Sequence, residues 1–149
     1  SSQGQTTRGI RRLLQRMYEE FKLPIYVLCD YDAYGFYIYS VLKYGSINLA
    51  HASEHMAIPS IKYLGITSSD IEKYDLKKHF IKLKDHDLAR LKQIAEYEWF
   101  KNNKAWQKEI KMMKQYGSKA EIQALSSKGI SFISNTYLPE KIKNKDFLE

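Results

Sequence analysis

From Arg8 to Phe21 the apolar residues Ile10, Leu13, Leu14, Met17 and Phe21 recur at offsets of 3, 4, 7 and 11. That spacing predicts a helix with one packed face and its arginines mostly on the other. Pro24 separates this helix from Ile25-Tyr26-Val27-Leu28-Cys29, an unbroken apolar run bounded by proline and aspartates. Such a run predicts a strand buried on both faces. Tyr34 to Tyr44 reads as a helix stopped by Gly45, and Ile61 to Ile66 as a second short strand after Pro59. The rest of the chain reads as helical. Ser69-Asp70-Ile71-Glu72 has the form of a capping box. Asp85 is placed to cap a helix carrying Leu88, Leu91, Ile94 or Ala95, and Trp99 on one face. Trp106, Ile110 and Met113 mark a further helix that Gly117 ends. Ser118-Lys119-Ala120-Glu121 is a second S-x-x-E start, with Gly129 as its stop.

The order is therefore helix, strand, helix, strand, then helices, which is an α/β chain with a helical C-terminal part. A buried parallel strand needs neighbours on both sides, and a βαβ unit needs a strand before its helix. Nothing before Arg8 supplies one, so the pattern predicts a fragment lacking at least the first strand of its sheet. The alternative is that Phe80-Ile81-Lys82-Leu83 completes the sheet. With no internal repeat and no long linker, residues 1–149 read as one unit. Residues 1–84 form its α/β core and 85–149 its helical part.

Composition narrows the class. At 149 residues, 44% hydrophobic and 28% charged, the chain can build one ordinary globular core. No apolar run approaches the ~18 residues of a membrane-spanning helix, and no signal peptide opens the chain. These features predict a soluble, intracellular piece with no membrane partner. One cysteine cannot form an internal disulfide, and one Cys with four His argues against a closed structural zinc site.

The net charge of +7 points to a polyanionic partner such as nucleic acid. Arg8, Arg11, Arg12, Arg16 and Lys22 form one basic cluster; Lys101, Lys104, Lys108, Lys111, Lys114 and Lys119 form another, opposed within it only by Glu109. The simpler alternative is a solvated lysine-rich surface. Arginine in a helix's first turn is unfavourable against its dipole, which suggests that Arg8, Arg11 and Arg12 face a phosphate.

Candidate chemistry sits where the first strand ends, in Cys29-Asp30-Tyr31-Asp32-Ala33-Tyr34-Gly35. Residues two apart in extended chain project to the same side, roughly 6–7 Å apart at Cα. Functional groups of parallel α/β sheets collect at the carboxyl ends of strands. Paired carboxylates repel unless a cation or proton intervenes, and their oxygens suit Mg²⁺ bridging to phosphate. An acidic notch on a basic chain therefore fits metal-assisted chemistry on a phosphodiester. For a bare D-x-D the competing reading is that Asp32 merely caps the next helix and Asp30 is a turn residue.

His51-Ala52-Ser53-Glu54-His55 also matches the inverted zinc-protease pattern. Gly45-Ser46 and Pro59 bracket it too tightly for the helix that chemistry needs, so surface or interface histidines are the better reading. Cys29 reads as a packing residue, Trp99 and Trp106 as core anchors. None of the twelve tyrosines has a recognisable activating base beside it.

The stretch Asp30-Tyr31-Asp32-Ala33-Tyr34-Gly35, followed by Lys43-Tyr44-Gly45-Ser46, closely resembles the family of topoisomerase VI A subunits and meiotic double-strand-break proteins. Gly4-Gln5, Arg8 and Arg11-Arg12 resemble that family's glycine-glutamine and arginine segment. Tyr63-Leu64-Gly65-Ile66 with Ser69-Asp70-Ile71 resembles its next strand and turn. Lys119-Ala120-Glu121-Ile122-Gln123-Ala124-Leu125 and Tyr137-Leu138-Pro139-Glu140-Lys141-Ile142 resemble its C-terminal helices, so the match runs from about Gly4 to Lys143.

The resemblance implies a Toprim domain, a Rossmann-like parallel sheet with flanking helices. In that fold a strand-1 glutamate and a D-x-D bind Mg²⁺. It implies metal ligation by Asp30 and Asp32, and a DNA-facing groove at Arg8, Arg11 and Arg12. It further implies double-stranded DNA as substrate, and an A2B2 assembly in which two A subunits join two ATPase B subunits. An upstream tyrosine would form the 5′ link to DNA and strand passage would need ATP. The expected setting is cytoplasmic and nucleoid-associated in an archaeon, or nuclear in a eukaryote. The glutamate's strand and the winged helix with its tyrosine would precede Gly4, so this chain alone should not cleave DNA. Ala33 and Thr6 stand where the family usually has proline; losing proline at Ala33 removes a pre-set helix start but leaves both aspartates. Alternatives are a meiotic-type break-forming protein, another Toprim nuclease or primase, or a non-catalytic module for DNA binding or dimerisation.

Overall fold

The computed structural model describes residues 8–45 and 57–149, with side chains in the first helix from Arg12 onward. Helix α1 (Arg8–Phe21) leads into β1 (Tyr26–Leu28), α2 (Ala33–Tyr44) and β2 (Lys62–Gly65). A short helix α3 (Ser68–Lys73), a 3₁₀ turn (Lys77–His79) and β3 (Ile81–Lys82) follow. Next come α4 (Asp85–Ala95), α5 (Glu98–Lys101), α6 (Lys104–Tyr116) and β4 (Ser118–Lys119). The chain ends with α7 (Gln123–Ser126), a π-helical turn (Ile133–Tyr137) and α8 (Leu138–Lys143). No described helix is long and apolar enough to cross a membrane.

Strands β1 and β2 pair in parallel, Tyr26 opposite Lys62 and Val27 opposite Tyr63. The pairing runs on past β1, where the Cys29 N–H donates to the Gly65 carbonyl and the Ile66 N–H to the Cys29 carbonyl. Strands β3 and β4 form a separate antiparallel pair, so Phe80 to Leu83 does not complete the first sheet. Instead, β4 is tied to the loop after β1 by reciprocal backbone bonds between Tyr31 and Ala120.

Trp106 is wholly buried, and the rings of Phe36, Tyr39, Tyr63, Trp99 and Phe100 all pack on it at centroid distances of 4.9–5.7 Å. The polar ends of these rings are satisfied, as burial demands. Tyr39 donates to the Ile61 carbonyl at 2.9 Å, Tyr63 to the Ile66 carbonyl at 2.8 Å, and the Trp106 indole to the Glu149 carbonyl at 3.2 Å. This cluster clamps α2 and β2 between the helices that follow, which fixes the β1–α2 loop.

Several expected boundaries move. Strand β1 is half-buried rather than buried on both faces, because among the described residues it has a sheet neighbour on one side only. On α1 the expected packed face is largely open: Leu13 and Phe21 are 57% and 65% exposed, while Leu14 and Met17 are partly covered. The capping box of α3 is Thr67 with Asp70, two residues earlier than Ser69 with Glu72. The N-cap of α4 is Lys84, with Asp87 accepting the Lys84 N–H, and Leu88 lies exposed off the buried stripe of Leu91 and Ile94. Ser118 begins a strand rather than a helix, because β3 offers it a backbone partner; α7 starts at Gln123 and ends before Gly129. Helix α6 does end at Gly117, whose φ of 63° is the left-handed geometry a side chain resists.

Candidate metal centre

The chain leaves β1 at its carboxyl end and turns at once into α2, which places Asp30 and Asp32 in the connecting loop. Asp32 is the N-cap of α2, its Oδ1 accepting the Gly35 N–H at 2.6 Å. Asp30 is fixed from a distant part of the chain: its Oδ1 accepts the Ile122 N–H at 2.7 Å. The bridge between Tyr31 and Ala120 is what brings Ile122 within reach. Gly35 completes the loop by close approach. A Cβ there would sit 2.6 Å from the Asp30 carbonyl oxygen and 3.1 Å from Asp32 Oδ1, so any side chain would push the loop open.

Each carboxylate thus spends one oxygen on a backbone N–H and keeps the other without a hydrogen bond among the described residues. Capping and ligation are compatible at Asp32, because they use different oxygens. Burial, opposed by the Gly35 bond and reinforced by the Asp30 charge, holds the Asp32 carboxyl above its ordinary value. The Cys29 thiol behind them is pushed up to about 12, by burial first and then by Asp32 and Asp30. That keeps it a thiol, in keeping with a packing role. The notch therefore concentrates negative potential that a cation would relieve.

Two oxygens from two aspartates suit Mg²⁺, which binds through one or two carboxylates and keeps several waters for exchange with phosphate. No group of three or more His, Cys, Asp or Glu able to hold a metal occurs among the described residues. A softer, fully protein-ligated ion such as structural zinc has no donor set there.

The surroundings include groups that the sequence pattern does not single out. Lys119 on β4 pairs with Asp87 on α4 at 3.0 Å, and both charges are felt at Asp32. Arg90 stacks on Tyr34, two residues past Asp32, with its guanidinium 4.9 Å from the ring centre. Each is separated from the D-x-D by more than 50 residues of chain, so only the fold reveals them. Arg12 is exposed on α1 and has no hydrogen bond or ion pair to either aspartate among the described residues. Arg8 and Arg11 lie in α1, but their side chains fall outside the described set, as do His51, Glu54 and His55.

Comparison with known proteins converges on one family. The family profile for the Toprim domain of topoisomerase 6 A subunits and Spo11 matches residues 1–142. The type 2 DNA topoisomerase 6 A subunit of Sulfurisphaera tokodaii is 45% identical over all of this chain and 41% of its own length. The protein of that name from Saccharolobus shibatae is 45% identical over 99% of this chain and 40% of its own. The one from Pyrococcus abyssi is 43% identical over 99% and 41% respectively. The chain spans about two fifths of the length of these relatives. At that identity and coverage, this chain belongs to the family of topoisomerase 6 A subunits and Spo11, of which it carries the Toprim domain.

Proposed function

We propose that this chain is the Mg²⁺-binding Toprim part of a type IIB DNA topoisomerase A subunit. The enzyme acts on double-stranded DNA as a dimer of A subunits with an ATPase B subunit. The observation that carries this reading is the pair Asp30 and Asp32 at the carboxyl end of β1, each backbone-anchored through one oxygen and offering the other.

A double-strand break made through a phosphotyrosyl link exchanges one phosphodiester for another. It needs a nucleophile, neutralisation of the pentacovalent phosphorus, and relief of charge on the departing 3′ oxygen. When bound, Mg²⁺ supplies the second and third of these. Asp30 and Asp32 would hold it at a fixed place, because the Ile122 and Gly35 N–H groups set the plane of each carboxylate before any ligand arrives. Gly35 keeps that loop closed, and Lys119, steadied by Asp87, places a cation near the same notch. On this reading the tyrosine nucleophile comes from outside these 149 residues. The chain by itself then forms no covalent adduct with DNA. Arg8, Arg11 and Arg12, on the first turns of α1, would face the DNA backbone.

In the complete A subunit with its B partner, Asp30→Asn should abolish Mg²⁺-dependent cleavage, a loss of at least about 100-fold. DNA retention in a mobility-shift assay should stay within about threefold of wild type. Cleavage at the wild-type rate would remove Asp30 from the metal site. Equal loss of cleavage and DNA binding would assign the pair a folding role instead.

A further inference from the structure

The second lysine cluster becomes an ordered surface once α6 is seen in place. Lys104, Lys108, Lys111 and Lys114 are all exposed and succeed one another at spacings of four, three and three. They form one stripe along the helix, opposite the face that buries Trp106, Glu109, Ile110 and Met113. At 1.5 Å per residue the stripe is about 15 Å long.

Several cations elsewhere are paired, while Lys78, Lys82, Lys92 and Lys101, like the stripe, have no ion pair among the described residues. Lys62 pairs with Glu149, Lys73 with Glu140, Lys77 with Glu72, Lys119 with Asp87 and Lys141 with Asp70. None of the four stripe lysines has an ion pair among the described residues. The one acid of α6, Glu109, is turned inward to accept two hydrogen bonds from Ser68. Like charges at i,i+3 and i,i+4 destabilise a helix. Lys104 also opens α6 with no acid in its first turn, against the dipole, whereas α4 begins with Asp85 and Asp87.

We propose that the α6 stripe is a second contact for the phosphate backbone of duplex DNA, separate from the Asp30–Asp32 notch. A row of point charges winding along a rigid helix suits the regular phosphates of a duplex, and lysine contacts phosphate without reading sequence. Helix α6 runs directly through Gly117 into β4. The inference rests on the proposed DNA-processing role, but it fails or stands by a different readout from metal binding.

The test is the salt dependence of binding of a fluorescent duplex to the purified chain, wild type against K104Q/K108Q/K111Q/K114Q. Circular dichroism and thermal melting confirm the shared fold; all four side chains are exposed, so the substitutions leave the core intact. Neutralising four phosphate contacts should lower the slope of log K against log salt by about 3–4 and weaken binding uniformly across sequences. Unchanged affinity and slope would overturn the proposal. So would unchanged DNA binding with lost affinity for a polyglutamate probe, which would make the stripe a surface for an acidic protein segment. Mn²⁺ binding at Asp30 should be the same in both proteins, so failure of the stripe leaves the metal centre standing.

Discussion

Glu109 shows how one buried residue can be read in both charge and geometry. Its two oxygens accept the Ser68 N–H at 2.8 Å and the Ser68 hydroxyl at 2.6 Å, so the site is shaped for a two-pronged polar group. Burial, only partly offset by those bonds, raises its pKa above the ordinary 4.5. The folded protein therefore keeps a proton that the unfolded chain has released. Stability from this group is full below pH 4.5 and is lost as pH rises through the raised value. Glu109→Gln accepts the Ser68 N–H on its amide oxygen and donates its amide N–H to the Ser68 hydroxyl, so without the charge it should be at least as stable as wild type at pH 7. It should also show a flatter dependence of stability on pH above the ordinary carboxylate value of 4.5. Glu109→Ala strands the Ser68 donors and should cost about 2 kcal/mol or more. Urea unfolding at several pH values measures both, and an unchanged slope in the Gln variant would contradict the assignment.

Among elements, the C-terminal helix α8 is held to the turn after β2 by a buried polar lock. Lys141 pairs with Asp70 at 2.8 Å, with side chains 1% and 0% exposed. The Tyr137 hydroxyl and the Thr67 N–H also donate to Asp70, at 2.5 and 3.1 Å. Removing one partner leaves a buried charge, so Lys141→Met should destabilise by about 3–5 kcal/mol, while D70N/K141M should recover much of that loss. A single variant within about 1 kcal/mol of wild type by urea unfolding would show that the pair is not desolvated as the structure has it.

This lock marks the limit of what the sequence displays. Helices with strong local signals are legible: α1 from its period, α2 from Asp32 and Gly45, α6 from Trp106 to Gly117. The Ser118 segment is misread because its S-x-x-E pattern satisfies a local rule, while its conformation is set by β3, some 35 residues away. The same holds for α3, where Thr67 outcompetes Ser69 as cap because its partner Asp70 is already held by Lys141 and Tyr137. At the candidate site the aspartates are visible in the chain. The anchor of Asp32 is visible too, as the cap of the next helix, but that of Asp30 is not: Ile122 reaches it through an N–H, which every residue but proline possesses.

Over the whole molecule, a net charge of +7 goes with an acidic pair at the end of β1. The +7 charge is arranged in at least one continuous stripe, while the aspartates at the end of β1 are set apart by the β1–α2 turn and by β4. On the proposed function, that contrast would let one chain attract a polyanion and still hold a divalent cation against it. The single Toprim domain accounts for about two fifths of the length of its relatives. The division of labour proposed here leaves nucleophile and ATPase to other parts of the assembly.

Asp30 and Asp32 are proposed as a cation site in this chain. It is tested most directly by titrating the isotope-labelled chain with Mn²⁺ and following backbone NMR signals, with Asp30→Asn as control. Paramagnetic broadening detects even weak occupancy by a stand-in for Mg²⁺. Selective loss of signals from residues 30–35 and from Ile122 is expected, reversed by excess Mg²⁺ and lost in the variant. Broadening that is uniform, or identical in Asp30→Asn, would contradict it and leave Asp32 as a helix cap alone.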